Sequence, residues 1–304
     1  MGLLFDIFQT SDILKSGGNR TSKVGEKLES FVEKIRKAWQ KQNSLVCVGL
    51  DTIGEKVPTC VVREQSPVFN FNAAIVDATA DLVCAYKPQV AFYSGVGTLE
   101  EALLEETIRY IHGRYPEIPV ILDAKRNDIG NTAEYYVKEV FDRYGADAVT
   151  INPYLGRDAC QPFLDRKEKG VILLCRTSNR GARDFQDLLV TIEGKTMPLY
   201  QAVAKRVAEQ WNENGNCLLV MEATYPGELK IVRELVGDIP FLVPGIGAQG
   251  GDVEAAVTNG KDSKGTGMII NSSRGIIYAS SGPDFAEAAR KATVTLRDEI
   301  NKYR

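Results

Sequence analysis

Histidine occurs once in the chain, at His112 in "RYIHGRY". Imidazole catalysis and histidine-rich metal sites are thereby disfavoured, because this residue falls late in a helical pattern, where a surface or C-cap place is expected. Cysteine offers little chemistry either. Cys47, Cys60, Cys84, Cys160, Cys175 and Cys217 form no C-x-x-C pair. Four of them (Cys47, Cys84, Cys175 and Cys217) stand in apolar runs and read as small buried hydrophobes of a reducing compartment, the cytoplasm. No apolar run approaches the roughly 20 residues that span a bilayer. The opening "MGLLFDIFQTSD" lacks a basic stretch before its apolar patch, and Asp6 interrupts both a secretory signal and the myristoylation pattern. There is no basic excess for nucleic acid, since the net charge is -3. Acid–base chemistry is left to Lys, Asp, Glu, Tyr or Cys.

The rest of the composition is that of an ordinary globular protein: 304 residues, 44% hydrophobic and 25% charged. Residues 1–20 are irregular, with "KSGGNR" as a linker. A helix is expected from Thr21 or Ser22, because Val24, Leu28, Val32, Ile35 and Trp39 recur at spacings of three and four. It carries no chemical motif, so residues 1–44 read as an N-terminal extension and 45–304 as the catalytic domain. From residue 45 onward, apolar runs alternate with amphipathic stretches. The runs are "LVCVGL" (45–50), "LVCAY" (82–86), "IPVIL" (118–122), "DAVTI" (147–151), "GVILLC" (170–175), "CLLVM" (217–221), "IPFLV" (239–243) and "GMII" (267–270). Continuous rather than alternating apolarity fits parallel strands covered on both faces. Eight strand–helix units predict a (β/α)8 barrel of about 250 residues, with a doubly wound open sheet as the alternative.

Just past these runs come Asp51, Lys87, Asp123 with Lys125, Asn152, Thr177 with Ser178, Glu222, Gln249, and Asn271 with Arg274. One polar residue at a strand end is a solvated loop. Eight in succession predict a site, because the C-terminal strand ends of a barrel converge on one face. "PGIGAQGG" (244–251) and "NSSRG" (271–275) follow the last two strands, where barrels frequently hold phosphate. Glycine admits close anion approach, Arg274 can contact it in bidentate fashion and Gln249 can donate. Between the carboxylates of Asp51, Asp123 and Asp128, Lys87 and Lys125 would repel a cation. A lysine among carboxylates stays protonated, which suits proton donation better than Schiff-base attack. The expected chemistry is protonation of a carbanion-like centre on a phosphorylated substrate.

"DAKRNDIGNT" (123–132) resembles the D-x-K-x-x-D-[IV]-x-x-T signature of the orotidine 5′-phosphate decarboxylase family. "VGLD", "AYKPQVAFY", "TINPYLG", "RTSNRGARDFQDL", "PGIGAQGGD" and "NSSRGI" match it in order over roughly residues 45–300, most closely in the longer bacterial branch. The resemblance implies decarboxylation of orotidine 5′-phosphate to uridine 5′-phosphate in pyrimidine biosynthesis, without cofactor or metal, by a homodimer with shared sites. Asp51 and Lys87 would bind ribose, Asp123 would face the substrate carboxylate, and Lys125 would protonate C6. Asp128 and Thr132 would enter the partner's site, Ser178 would meet the ring, and Gln249 and Arg274 would grip phosphate. Gln89, in "KPQ", belongs with the substrate-binding set, since a strand ending in Lys-Pro-Gln opposes a bound cation.

Two positions depart from the family pattern. Glu222 in "VMEATYP" stands where glycine is usual, and is expected to point to the surface or to pair locally. Arg180 stands where proline is common. The stretch "TSNRGARDFQDLLVTIEGKTM" (177–197) is long and polar, as suits a closing lid. Two other readings compete: a Mg²⁺-dependent sugar-phosphate decarboxylase or synthase on the same barrel, and a catalytically silent nucleotide-binding barrel in which Glu222 is the lesion.

Overall fold

The structure, a computed structural model, describes residues 29–246 and 252–304. Eight parallel strands form the wall: β1 (Val46–Gly49), β2 (Ala85–Lys87), β3 (Ile121–Arg126), β4 (Ala148–Ile151), β5 (Gly170–Arg176), β6 (Cys217–Met221), β7 (Phe241–Val243) and β8 (Met268–Ser272). They pair in the order β2-β1-β8-β7-β6-β5-β4-β3, and bridges from Tyr86 to Val120 and from Gln89 to Asp123 bring β2 back to β3. This is the (β/α)8 barrel that the eight runs predict. β1, β2, β4, β6, β7 and β8 are buried along their whole length. Their unbroken apolarity follows, since one face fills the barrel and the other meets helices.

The outer layer is α2 (Pro67–Thr79), α3 (Thr98–Arg114), α4 (Gly130–Val137), α5 (Arg157–Leu164), α6 (Leu199–Arg206), α7 (Pro226–Val236), α8 (Val253–Gly260) and α9 (Phe285–Asn301). One more helix, α1 (Phe31–Lys41), precedes β1. It starts later than the apolar stripe suggests. Ser30 is an extended N-cap that accepts from Glu33 N, while Glu33 reaches back to Ser30 N at 2.9 Å, and this capping box fixes the boundary. Thr21, Ser22, Val24 and Leu28 lie outside the described residues.

The α1 helix closes the N-terminal end of the barrel. It buries Phe31, Ile35 and Trp39 in the common core, and such side chains contribute roughly 1.5–3 kcal/mol each. Phe31 N donates to Glu168 O at 2.9 Å. Its ring lies so close to Gly170 that a Cβ there would meet Phe31 Cδ1 at 2.4 Å, so the first position of β5 requires glycine. Lys34 reaches Asp147 at 3.0 Å, and His112 Nε2 lies 2.8 Å from the other oxygen of that carboxylate. His112 thus clamps the end remote from the strand C-termini. Burial would raise the Asp147 carboxyl, but His112 and Lys34 outweigh it and hold it at about 2.

Between β5 and α6, the stretch expected as an irregular lid is partly regular. A 3₁₀ turn (Arg180–Asp184) leads into an antiparallel hairpin, Leu189–Ile192 with Lys195–Pro198. Glu193 and Gly194 have φ of 52° and 77°, the doubly left-handed two-residue turn that matches strand twist. The anchor is Arg176, whose side chain is only 1% exposed. Its guanidinium meets Glu228 at 2.5 Å and Asp187 at 2.8 Å, and stacks over Tyr225 and Tyr200. A buried charge needs such pairing, and here it ties the insert to the start of α7.

Candidate active site

The strand ends build the site from β1 round to β8. Gly49 ends β1, and a Cβ there would lie 1.9 Å from Ser273 Oγ. Its absence lets Ser273 cross to Asp51, where the hydroxyl donates to Oδ2 at 2.7 Å. Behind Asp51 a buried polar net fixes the loop. Thr52 Oγ1 donates to Asn72 Oδ1 at 2.6 Å, Asn72 Nδ2 donates to Tyr93 OH at 3.0 Å, and Tyr93 OH donates to Leu50 O at 2.7 Å.

Asp123 is the hub. Oδ2 accepts from Lys87 Nζ at 3.1 Å, and Oδ1 accepts from Lys125 Nζ at 2.7 Å and from Thr150 Oγ1 at 2.8 Å. Lys87 is 4% exposed and also lies 3.9 Å from Asp51. Burial alone would neutralise both groups, pushing the lysine down and the aspartate up. Each instead keeps its charge because of the other: the carboxylates of Asp123 and Asp51 drive Lys87 above its ordinary value, and Lys87 with Lys125 drives Asp123 below its own. Lys125 is half-exposed and its backbone is left-handed, at φ 48°. The result is an alternating carboxylate–ammonium row facing a cavity of about 200 Å³, which Gly245, Ser273 and Arg274 also line. Arg274 has no carboxylate within ion-pair distance among the described residues, so its guanidinium is free to take an anion. A more open groove of about 390 Å³ by Lys56 and Tyr278 lacks this convergence.

Other residues expected at the site are placed less directly. Gln89 is half-buried and its Oε1 accepts from Ala91 N at 3.2 Å, which spends that oxygen on its own loop. Asp128 makes no ion pair among the described residues; Oδ1 accepts from Ile129 N at 2.7 Å. Thr132, in the first turn of α4, is exposed. Asn152 caps a 3₁₀ turn through Tyr154 N and does not join the row. Ser178 is half-buried beside Glu222. Gln249 lies outside the described residues.

Glu222 is not surface-directed. It is 3% exposed, contacts the Ser178 hydroxyl and the Ala223 amide, and leaves Oε1 buried without a hydrogen-bond partner among the described residues. Burial pushes its carboxyl up to about 7. Local pairing holds, with Ser178 as the partner. Thr150, Ser273 and Arg176 carry no signal in the sequence, because uncharged hydroxyls in "VTINP" and "NSSRG", and an arginine ending an apolar strand, have no distinctive spacing.

A barrel whose strand ends gather paired lysines and aspartates beside an arginine with no ion pair among the described residues is an enzyme scaffold suited to an anionic ligand. Comparison with known proteins gives the family. The profile of the orotidine 5′-phosphate decarboxylase / HUMPS family matches residues 44–292. Orotidine 5′-phosphate decarboxylase of Cellvibrio japonicus is 56% identical over 277 residues, which cover 90% of this chain and 99% of that protein. Among solved structures, Leishmania donovani OMP decarboxylase is 35% identical with a TM-score of 0.76, covering 90% of this chain and 98% of the other. L. donovani UMP synthase is 37% identical with a TM-score of 0.77, and the chain spans 57% of its length. The chain belongs to the orotidine 5′-phosphate decarboxylase / HUMPS family, and by that membership it is an enzyme of the carboxy-lyase kind.

Proposed function

We propose that this chain decarboxylates orotidine 5′-phosphate to uridine 5′-phosphate, in pyrimidine biosynthesis, with side chains alone. The observation that carries the reading is the Lys87–Asp123–Lys125 row, whose Lys87 and Asp123 line the same cavity as Arg274. Arg274 and Gln249 bind the phosphate. Asp51 Oδ1 and Asn271 Oδ1 are buried and lack hydrogen-bond partners among the described residues. Buried acceptors left open call for donors; a ribose hydroxyl supplies one at Asp51, while the Lys87 ammonium donates to a ribose oxygen. Gln89 and Ser178 hold the base. Asp123 faces the substrate carboxylate across a short gap. The C6–carboxylate bond breaks, the electron pair stays on C6, CO2 departs, and Lys125 Nζ gives its proton to C6. Solvent then reprotonates the amine. A preorganised ammonium next to a developing carbanion stabilises it electrostatically.

The same reading makes the enzyme a homodimer. Asp128 and Thr132 sit at the rim without partners in the row. Close by in the chain are exposed apolar side chains, Ile129 at 61% and Tyr135 at 70%, and Tyr154, just past β4, is 77% exposed; a partner subunit would cover them. Asp128 and Thr132 then complete the partner's site. The catalytic domain is residues 45–304, close to the family match, and residues 1–44 form an extension whose helix α1 seals the barrel end. No helix among the described residues is long and apolar enough to cross a membrane, which is compatible with a cytoplasmic enzyme.

The Mg²⁺-dependent reading has less support, because the Lys87 ammonium already fills the space between Asp51 and Asp123 where a divalent cation would have to sit. The test is the loss of orotidine 5′-phosphate absorbance with and without EDTA. Turnover indifferent to EDTA supports the proposal. Turnover abolished by EDTA transfers support to the metal-dependent reading, and no turnover at all supports the silent barrel.

A further inference from the structure

Strand β3 departs from regular pairing at the place where its chemistry lies. Its register with β4 shifts between Leu122 and Arg126, and Lys125 takes a left-handed backbone that a long side chain rarely adopts. Bulges of this kind re-aim side chains next to active sites. The shift needs a partner for the amides it frees, and Thr150 provides it. Its Oγ1 accepts from Ala124 N and from Lys125 N, each at 3.0 Å, and donates to Asp123 Oδ1 at 2.8 Å. One donor and two acceptor sites are the whole capacity of a hydroxyl, so the group has no freedom left to rotate. The side chain is 1% exposed, and its β-branch restricts χ1.

We propose that Thr150 is a positioning residue: it holds the left-handed turn at Lys125 and orients Asp123, so that the ammonium and the carboxylate meet the substrate in a fixed geometry. This rests on the roles given above to Asp123 and Lys125. Thr150 is buried and does not line the cavity, so its removal should act on the chemical step rather than on binding. Thr150→Val keeps the shape and deletes the hydroxyl, while Thr150→Ser keeps the hydroxyl.

Steady-state kinetics on orotidine 5′-phosphate should show kcat for Thr150→Val lowered about ten- to a hundredfold, the worth of a lost hydrogen bond to a charged group, with KM within threefold of wild type. Thr150→Ser should stay within threefold of wild type in kcat. A crystal structure of Thr150→Val should show Lys125 out of the left-handed region and its contact with Asp123 opened. Unchanged kcat in Thr150→Val, a lowered melting temperature as its only defect, or an unmoved Lys125 backbone would each overturn the assignment. If Thr150→Val does not fold, Thr150→Ser decides, because a tenfold loss there would mean that the methyl group, not the hydroxyl, matters. A wild-type chain without turnover would sink the proposed reaction, while the Thr150→Val structure would still decide the positioning role.

Discussion

Glu222 offers a sharp physical test, because nothing charged offsets its burial. The carboxyl rises from an ordinary 4.5 to about 7 through desolvation, and only the Ser178 hydroxyl and the Ala223 amide oppose that rise. A shift of that size corresponds to about 3 kcal/mol of preference for the protonated form in the folded state. The sign follows from which state holds the proton more tightly. Below about 4.5 the group is protonated in folded and unfolded chains alike. As pH rises toward 7 the unfolded chain ionises freely, and the folded chain resists. The favourable contribution is therefore lost as pH rises through the folded value, and the full penalty stands above it. Urea unfolding of wild type and Glu222→Gln, compared at pH 5 and pH 8, isolates this group because every other titration is common to both. The stability of wild type relative to Glu222→Gln should fall by about 2–3 kcal/mol between those pH values. Activity should follow the same titration. Once ionised, Glu222 holds Ser178 as a donor and, on the proposed role of Ser178 toward the base, sets negative charge beside it, so kcat/KM should fall as pH rises through 7 and should flatten in Glu222→Gln. Parallel stability curves would show that Glu222 titrates normally and that its burial is relieved in solution.

Three further outcomes are expected. Lys125→Ala should abolish turnover with the fold intact, and mixing it with inactive Asp128→Ala should restore about a quarter of wild-type activity, because half the dimers are mixed and each has one intact site; no recovery after verified subunit exchange would mean each site is built from one chain. Arg274→Ala should lower kcat/KM for orotidine 5′-phosphate by roughly ten- to a hundredfold through the lost charge-assisted phosphate contact, with little effect on orotidine, and equal losses on both substrates would remove Arg274 from the phosphate site. Gly170→Ala should cost about 1–3 kcal/mol by overpacking, because the new Cβ would meet Phe31 and Ala148 Cβ at 2.4 and 2.8 Å; an unchanged melting temperature would mean α1 does not press on β5 in solution.

The barrel was legible because its signal is global. Eight continuous apolar runs at even spacing leave few architectures open, and each run ends where a strand ends to within a few residues. The charged centre was legible for a related reason: Asp51, Lys87, Asp123 and Lys125 are costly to bury singly, so their repeated appearance at strand ends announces that they meet. What stayed hidden depends on direction rather than on residue type. The strip from Val24 to Trp39 looks like one helix by periodicity, yet Ser30 and Glu33 stop it locally, and a three-residue capping pattern competes poorly with a longer apolar stripe when both are read from spacing. The hairpin in 189–198 is hard to read because its strands are only four residues long and its apolar side chains are exposed or half-buried, so no inward-facing stripe marks it. Glu222 was misjudged because an isolated glutamate is far more often solvated than buried, and only the packing of β6 between β5 and β7 decides otherwise. Thr150 shows the general limit. Its importance lies in three hydrogen bonds to a strand more than twenty residues away in the chain, and threonine in a strand is unremarkable by composition. A site whose charges are set by sequence is thus given its geometry by neutral residues that sequence alone does not distinguish, and these are the positions where substitution should alter turnover without altering binding.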